Sequence, residues 1–339
     1  MPPDEQRQFQ FASDLRIQRL LNGLWQVSGA HGAIDPRQAL PSMLALHAAG
    51  FTTWDLADHY GPAEDFIGEF RRQLSAARGP AALADVQAFT KWVPPATPRM
   101  TRPIVADAIA ISRRRMDTER LDLLQFHWWD YANEQYLVAL DYLAELRQAG
   151  QIKHLALTNF DSAHLQIILE HGIPIVSNQV QYSLIDRRPE VRLAPLCQAR
   201  RVWLLTYGTL CGGLLSDRYL DQPEPGRGAL TTASLRKYKQ MLDAWGGWEL
   251  FQQLLHTLKG IAGQHNVSIA NVATRYILDK PAVAGVIVGV RLGLSDHHAD
   301  NARVFALELE ASDLEQIDHV LSRSNDLYAI IGDCGDEYR

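Results

Sequence analysis

Short apolar runs alternate with longer amphipathic stretches along almost the whole chain. Eight of these runs have the length of a strand, and helical stretches separate them. The predicted strands are 17–21, 51–56, 85–90, 121–127, 152–158, 175–181, 202–207 and 283–288. Residues 285–289 are apolar throughout, which is typical of a strand buried on both faces of a parallel sheet. Eight strand–helix units in 339 residues predict an α/β fold, a closed (β/α)8 (TIM) barrel.

The helical stretches support the same architecture. The predicted helices are 37–48, 64–74, 104–116, 134–148, 162–170, 190–199 and 269–279. Several end just before a glycine, which suits the left-handed position after a helix. A doubly wound open sheet is the alternative, but it would want a glycine-rich fingerprint after an early strand, and none is found there.

We expect one domain over residues 1–339, with a core at about 15–321. Two segments exceed the usual loop length, namely 211–248 after the seventh strand and the tail 322–339. Both are predicted to be loop-like and to lie over the active mouth of the barrel. The run from Ser312 to Glu315 resembles a capping box that opens a last helix ending at Leu321.

Composition excludes several classes of function. A net charge of -6 with scattered basic residues argues against a nucleic-acid partner. No stretch approaches the ~20 apolar residues of a membrane span, and the polar start predicts no signal peptide. Three dispersed cysteines indicate neither a disulfide framework nor a metal site, so a cytoplasmic location is expected.

Four polar residues follow successive predicted strands, and together they indicate carbonyl chemistry. They are Asp55, Tyr60, Lys91 and His127. Reduction of a carbonyl needs a proton donor beside its oxygen. Tyr60 could donate that proton, Lys91 could lower the tyrosine's pKa, Asp55 could orient the lysine, and His127 could bind the substrate oxygen. Taken singly, each residue also has a structural reading: a turn cap, a loop aromatic, a surface lysine or a core histidine.

In this context the chain resembles the aldo-keto reductase superfamily over nearly its whole length. The matching segments are 22–26, 51–61, 89–92, 121–128, 150–153, 178–183 and 289–301. The resemblance implies a (β/α)8 barrel, and a nicotinamide cofactor bound in an extended form without a Rossmann domain. It also implies a catalytic tetrad of Asp55, Tyr60, Lys91 and His127, with Tyr60 as the general acid.

The resemblance further implies which residues bind the cofactor. They are Gly23, Leu24, Asp55, Thr158, Asn159, Gln179, Tyr207, Gly208, Thr209, Leu210, Gly212, Gly289, Arg291, His297 and Asn301. By this resemblance Tyr207 stacks on the nicotinamide, Thr158, Asn159 and Gln179 hold its carboxamide, and the backbone of 208–212 approaches the pyrophosphate. The family commonly has serine at position 158 and Ser-Pro at 208–209, so this chain departs from the pattern there.

The residues after the last strand are assigned to the adenosine end of the cofactor. The guanidinium of Arg291 suits a 2′-phosphate, which favours NADP(H), while NAD(H) stays possible. Residues 292–296 look longer than in many relatives, and His297 stands where glutamine or arginine is common. No metal site is predicted, because adjacent residues such as His297 and His298 do not face one point on a helix.

Three tryptophans that flank these elements, Trp25, Trp92 and Trp128, are candidates for a substrate pocket. Aromatic walls suit a bulky small-molecule carbonyl compound or a sugar. Two alternatives stay open: an aldose or alcohol dehydrogenase working oxidatively, and a cofactor-binding regulatory subunit similar to potassium-channel β subunits. The substrate, the direction and the oligomeric state, monomer or homo-oligomer, are not determined by the sequence.

Overall fold

The computed structural model describes residues 6–29, 32, 34–95 and 99–338, and its centre is a closed barrel of eight parallel strands. The strands are β1 (Leu20–Gly23), β2 (Thr53–Asp55), β3 (Gln87–Trp92), β4 (Leu121–Phe126), β5 (Ile152–Thr158), β6 (Ile175–Gln181), β7 (Trp203–Tyr207) and β8 (Val283–Gly289). The barrel closes where β8 pairs with β1, with Gly289 opposite Gly23. The predicted (β/α)8 architecture is therefore confirmed.

Helices surround this barrel. They are α1 (Pro36–Ala48), α2 (Ala63–Arg78), α3 (Arg102–Arg115), α4 (Gln135–Gln148), α5 (Ser162–Glu170), α6 (Leu193–Arg200), α7 (Ala233–Trp245), α8 (Gly247–Gln264), α9 (Ile269–Leu278), α10 (His298–Asn301), α11 (Ala311–Leu321) and α12 (Leu327–Ile331). In α2 the buried residues Phe66, Ile67, Phe70 and Leu74 share one face. That spacing buries an apolar stripe against the strands and leaves the polar face in water.

The predicted first strand, 17–21, is wrong in its bounds because it spans two different strands. Residues Leu15–Gln18 pair with Gln8–Ala12 in an antiparallel hairpin, and β1 begins only at Leu20. Phe11 and Ile17 of the hairpin pack against inward-facing barrel residues such as Phe89. The hairpin therefore closes the end of the barrel at which the strands begin, and the opposite end is left for polar side chains.

The third strand begins later than predicted. Residues Pro80–Asp85 form a short 3-10 turn, so β3 starts at Gln87 instead of residue 85. Lys91 consequently lies inside the strand, paired with Gln125 of β4. Side chains alternate across a strand, so Lys91 and Gln125 face the barrel interior while their neighbours face the helices.

The prediction that 211–248 is loop-like is also wrong, because this segment contains α7. Thr232 caps the helix by accepting a hydrogen bond from the Leu235 backbone N–H, and Tyr238, Leu242 and Trp245 are buried. The apolar spacing of these residues is helical, and proline and glycine at 223–228 had masked it.

The tail beyond residue 322 contains a short helix, α12, and then returns to the end of β7. There the Tyr338 hydroxyl lies 3.0 Å from that of Tyr207, so the tail covers the mouth as predicted. The capping box before α11 is formed by Glu310 and Asp313 rather than by Ser312. In the described part of the chain, no helix is both long and apolar enough to cross a membrane.

We expect Gly68→Ala to destabilise the fold. A Cβ at this position in α2 would collide with the backbone carbonyl oxygen of Arg115, where α3 ends. Backbone cannot move aside as a flexible side chain can, so the free energy of unfolding should fall by about 1–3 kcal/mol. Urea denaturation measures this change.

Gly260→Ala in α8 is the matched control. A Cβ there meets no atom within 4 Å, so alanine's higher helix propensity should leave the stability unchanged or raise it by up to about 1 kcal/mol. Equal shifts in the two variants would contradict the steric account.

Candidate active site

A buried ion pair lies inside the barrel near the ends of β2 and β3. The Lys91 Nζ donates to Asp55 Oδ2 at 2.6 Å and to the Leu56 carbonyl at 3.0 Å. Both side chains are almost fully buried. Burial lowers the pKa of Lys91, and the adjacent Asp55 carboxylate opposes that shift. The pair survives burial because each charge has its counter-charge and additional hydrogen bonds.

Two amides satisfy the second oxygen of this carboxylate. Asp55 Oδ1 accepts from Gln125 Nε2 at 2.9 Å and from Gln179 Nε2 at 2.7 Å. Gln179 also donates to Gln125 Oε1 at 2.6 Å. The sequence reasoning missed Gln125. Its signal was its spacing, because it lies two residues before His127 on β4 and therefore faces the same interior.

Tyr60 follows β2 and lies partly buried beside the ion pair. Its ring contacts Trp25 edge-to-face at 4.9 Å between centroids, and Lys91 Nζ lies 5.1 Å from the ring centroid. Burial raises the pKa of Tyr60, and the carboxylates of Asp55 and Asp58 raise it further. Burial and the two carboxylates therefore outweigh any lowering of this pKa by Lys91. Asp55 pairs with the lysine charge, and the phenol keeps its proton.

His127 follows β4 and is held by its neighbours. Its backbone N–H donates to the Trp92 carbonyl at 3.1 Å, and its Nδ1 lies 3.0 Å from the Thr158 carbonyl oxygen. A carbonyl only accepts, so this bond places a proton on Nδ1. In the neutral ring Nε2 is then an acceptor, and it donates only when the imidazole is doubly protonated.

The residues expected at the carboxamide meet at the ends of β5, β6 and β7. The Asn159 N–H donates to the Gln179 carbonyl at 2.9 Å, and the Thr158 hydroxyl donates to the same oxygen at 3.2 Å. Asn159 Oδ1 accepts from the Tyr207 hydroxyl at 2.8 Å. Asn159 has a left-handed φ of 58°, a conformation that asparagine tolerates better than most residues. This group of four is the carboxamide cluster.

The loop after β7 lies next to the carboxamide cluster and is covered by α7. Gly208 and Gly212 both have positive φ, and a Cβ on Gly208 would collide with the Tyr238 side chain. Thr209 is buried and donates to the Tyr182 carbonyl at 2.9 Å, and Leu210 packs against the core. Glycine is needed at 208 because the loop has a left-handed turn and α7 leaves no space for a side chain.

The residues predicted for the adenosine end line a single cleft outside β8. Gly289, Arg291, His297 and Asn301 all contribute to it, together with Ser42 of α1. Arg291 is exposed, and its side chain is therefore accessible to an anion.

The start of the matched region lies at the β1–β8 seam. At Gly23 a Cβ would come within 2.7 Å of the Ile287 side chain, so close strand contact requires glycine. Leu24 is fully buried, and its N–H donates to the Asp55 carbonyl at 2.8 Å. The Leu24 side chain therefore belongs to the core.

The three predicted pocket tryptophans do not lie together. Trp92 and Trp128 are both buried and pack against Phe126. Only Trp25 touches Tyr60. Trp129, which the sequence reasoning did not select, lies 4.3 Å from the His127 ring and is 46% exposed.

Within the described ranges, no group of three or more histidine, cysteine or acidic side chains is arranged to hold a metal ion.

Comparison with known proteins adds a family and several relatives. A model of the aldo/keto reductase family matches residues 19–322. Protein tas of Escherichia coli K12 is 30% identical over 242 residues, which are 65% of this chain and 67% of that protein. Flagellar radial spoke protein 5 of Chlamydomonas reinhardtii is 28% identical over 260 residues, 66% of this chain, and the chain spans about half of its length (49%). An NADH-specific methylglyoxal reductase of Escherichia coli is 22% identical over 330 residues, 88% of this chain and 97% of that protein.

Solved structures show the same fold. A glycerol dehydrogenase from Gluconobacter oxydans matches with a TM-score of 0.78 and 21% identity, covering 94% of this chain and 96% of that one. An aldo/keto reductase from Klebsiella pneumoniae, in complex with NADP and acetate, matches with a TM-score of 0.69 and 20% identity, covering 93% and 95%.

The buried ion pair predicts a non-additive response to substitution. Lys91→Met should lower the free energy of unfolding by about 3 kcal/mol, because the Asp55 carboxylate loses its counter-charge while staying buried. Adding Asp55→Asn removes that charge, so the double variant should be more stable than Lys91→Met alone. Chemical denaturation of the wild type, Lys91→Met and the double variant measures the free energy of unfolding of each. A double variant less stable than Lys91→Met would contradict this account.

Proposed function

We propose, on the premise that this chain belongs to the aldo/keto reductase family, that it reduces an aldehyde or ketone to an alcohol with NADP(H). Enzymes of this family are NAD(P)H-dependent oxidoreductases. The observation that carries the proposal is the Tyr60 phenol beside the buried Asp55–Lys91 pair. A proton donor and a fixed buried cation at one site suit the proton transfer that carbonyl reduction requires.

The carboxamide cluster fits a nicotinamide. It combines an amide side chain at Asn159 with a hydroxyl at Thr158, which can pair with the donor and acceptor of a carboxamide. The side-chain NH2 of Gln179 is already donated to Asp55 and Gln125, so Gln179 contributes to the cluster through its backbone carbonyl. The Tyr207 ring next to them offers an aromatic face. When bound there, the cofactor supplies the hydride. The residues of the chain then position the carbonyl and provide the proton.

We assign the proton transfer to Tyr60. As its proton leaves for the substrate oxygen, the new phenolate lies beside Lys91, whose Nζ is 5.1 Å from the ring centroid. His127 commits its Nδ1 proton to the Thr158 carbonyl, so in its neutral form it has no second proton to give. His127 is therefore assigned to orienting the substrate rather than to donating the proton.

The same electrostatics favours reduction over oxidation near neutral pH. Oxidation of an alcohol needs Tyr60 as a phenolate, and burial together with Asp55 and Asp58 raises the pKa of this tyrosine. The phenol form that reduction uses is therefore the resting form. An aldose or alcohol dehydrogenase working oxidatively stays as the alternative, and it would need alkaline conditions or a shift on cofactor binding.

We propose that the substrate enters between Trp25 and Trp129. Trp25 touches the Tyr60 ring, and the largely exposed Trp129 borders His127, so an indole flanks each of the two residues assigned to the carbonyl. Aromatic walls bind apolar carbonyl compounds or the faces of sugars. The relative named for methylglyoxal reduction supports a small carbonyl substrate. The positions of Trp92 and Trp128 favour a core role for both.

Arg291 supports NADP(H) as the cofactor. Its guanidinium is exposed at a cleft shared with His297 and Asn301, where a 2′-phosphate could be bound bidentately. A solved relative in complex with NADP supports this assignment, and the relative described as NADH-specific keeps NAD(H) open.

Tyr60→Phe should remove most of the turnover and leave cofactor binding intact. The variant keeps the ring against Trp25 but loses the proton, so kcat for reduction of 4-nitrobenzaldehyde should fall by at least about a hundredfold. The NADPH Kd, followed by quenching of tryptophan fluorescence, should stay within about twofold.

Tyr142→Phe on α4 is the control and should behave as wild type. Because the pKa of Tyr60 is raised, wild-type reduction should show no alkaline decline from tyrosine ionisation below the ordinary tyrosine pKa of about 10. Wild-type rates in Tyr60→Phe would sink the acid assignment. Tight NADPH binding without turnover of any carbonyl would instead favour the regulatory-subunit alternative.

Arg291→Ala should weaken the binding of NADPH and leave the binding of NADH unchanged. Loss of a charge-assisted contact to a phosphate corresponds to about a tenfold or larger rise in the NADPH Kd, whereas NADH has no 2′-phosphate to lose. Arg303→Ala, which removes another exposed arginine beyond α10, is the control. Equal losses for both nucleotides would remove the 2′-phosphate role.

A further inference from the structure

The tail brings a tyrosine into hydrogen-bond contact with the carboxamide cluster. The hydroxyls of Tyr338 and Tyr207 lie 3.0 Å apart, and Tyr207 donates its single hydroxyl proton to Asn159. Tyr338 must therefore donate to the Tyr207 oxygen. Lys237 of α7 in turn donates to the Tyr338 oxygen. The result is a directed chain that runs from Lys237 through Tyr338 and Tyr207 to Asn159.

A buried arginine fixes the tail in this position. Arg188 Nη1 donates to Glu337 Oε2 at 3.0 Å and to the Asp333 carbonyl at 3.1 Å. Its remaining donors bind both oxygens of Asp186 at 2.8 and 2.9 Å, and its side chain is only 1% exposed. A fully paired, buried guanidinium holds planar partners rigidly, so residues 333–338 are anchored independently of the tyrosine contact.

Lys237 links the tail to the helix that covers the glycine loop. Its Nζ lies 4.0 Å from the Tyr338 ring centroid and 5.5 Å from that of Tyr207. No carboxylate lies within 4 Å of this ammonium among the residues that the structure describes. The cation is held by three tyrosine rings, the third being Tyr238 at 5.7 Å, and by one hydroxyl, so the tail, α7 and the carboxamide cluster meet at Tyr338.

We propose that Tyr338 is a positioning residue that holds Tyr207 and Asn159 in the orientation needed to receive the nicotinamide. The inference rests on the proposed function, because it gives these two residues their cofactor role. The Tyr207 hydroxyl donates to Asn159 and accepts from Tyr338, so two hydrogen bonds hold the end of the ring. Removing the Tyr338 hydroxyl leaves the Tyr207 hydroxyl with Asn159 as its remaining hydrogen-bond partner, so the ring is held less firmly and the cofactor must order it on binding.

The test uses the full chain and four variants. Tyr338→Phe removes the hydroxyl and keeps the ring, and Tyr328→Phe, in the same tail but away from the site, is the matched control. Tyr207→Phe and the double variant Tyr207→Phe/Tyr338→Phe show whether the two hydroxyls act as a unit. Three quantities are measured: hydrogen exchange of 207–213 without nucleotide, the NADPH Kd, and kcat with the deuterium isotope effect of 4-deuterated NADPH.

We expect Tyr338→Phe to speed backbone exchange in 207–213 and to raise the NADPH Kd by about three- to tenfold, the effect of one hydrogen bond. The double variant should bind NADPH no more weakly than Tyr207→Phe alone. Tyr328→Phe should match the wild type in every measurement, and denaturation midpoints should separate lost positioning from lost stability.

Two results would overturn this inference and leave the proposed function standing. One is wild-type hydrogen exchange and wild-type NADPH affinity in Tyr338→Phe. The other is a rise in the NADPH Kd of the double variant that equals the product of the rises in the two single variants. A wild-type protein that bound neither NADPH nor NADH would overturn the proposed function and this inference together. The nucleotide titration of the wild type therefore distinguishes the two failures.

Discussion

The Asp55 carboxylate, buried at the centre of the barrel, sets conditions that the surrounding structure must meet. An ionised carboxylate in an apolar interior is costly unless every lone pair has a donor. Its donors, Lys91, Gln125 and Gln179, come from β3, β4 and β6, which are far apart in the chain. A shift of one residue in any of these strands would turn its donor toward the helices. The site thus depends on the pairing register of these strands, because only in this register do all three donors face Asp55.

The same carboxylate decides how the neighbouring tyrosine behaves. Lys91 is close enough to Tyr60 to stabilise a phenolate, yet its charge is paired with Asp55 before any substrate arrives. The phenol therefore keeps its proton in the resting protein. A phenol that is protonated at rest, with a cation nearby to stabilise the phenolate it becomes, is suited to carbonyl reduction. The charges around Asp55 thus favour the proposed direction of the reaction.

The two ends of the barrel are covered by different kinds of residue. The antiparallel hairpin before β1 covers one end with apolar residues such as Phe11. At the other end, the glycine loop, α7 and the tail meet around Tyr207, where hydroxyls, amides and Lys237 replace apolar contacts. The apolar end fixes the barrel, and the polar end stays able to exchange its internal hydrogen bonds for bonds to a ligand.

The sequence by itself determined the barrel architecture, and it pointed to Asp55, Tyr60, Lys91 and His127 as the candidate tetrad. Short apolar runs separated by amphipathic stretches predict eight strand–helix units, and polar residues at the ends of those runs stand out as Asp55, Lys91 and His127 do. Local pattern also misled where it was ambiguous. It merged the hairpin with β1, and it missed α7 behind a proline-rich stretch.

Only the tertiary structure decided which side chains meet. Nothing in the local sequence marks Tyr338 or Lys237 as neighbours of Tyr207, because these residues lie 131 and 30 positions away in the chain and a tail can fold back in many ways. The raised pKa of Tyr60 could likewise not be predicted from the sequence, since a pKa depends on burial and on charges supplied by other strands. Sequence patterns record which face of an element is buried, whereas the partners across a site are set by long-range packing.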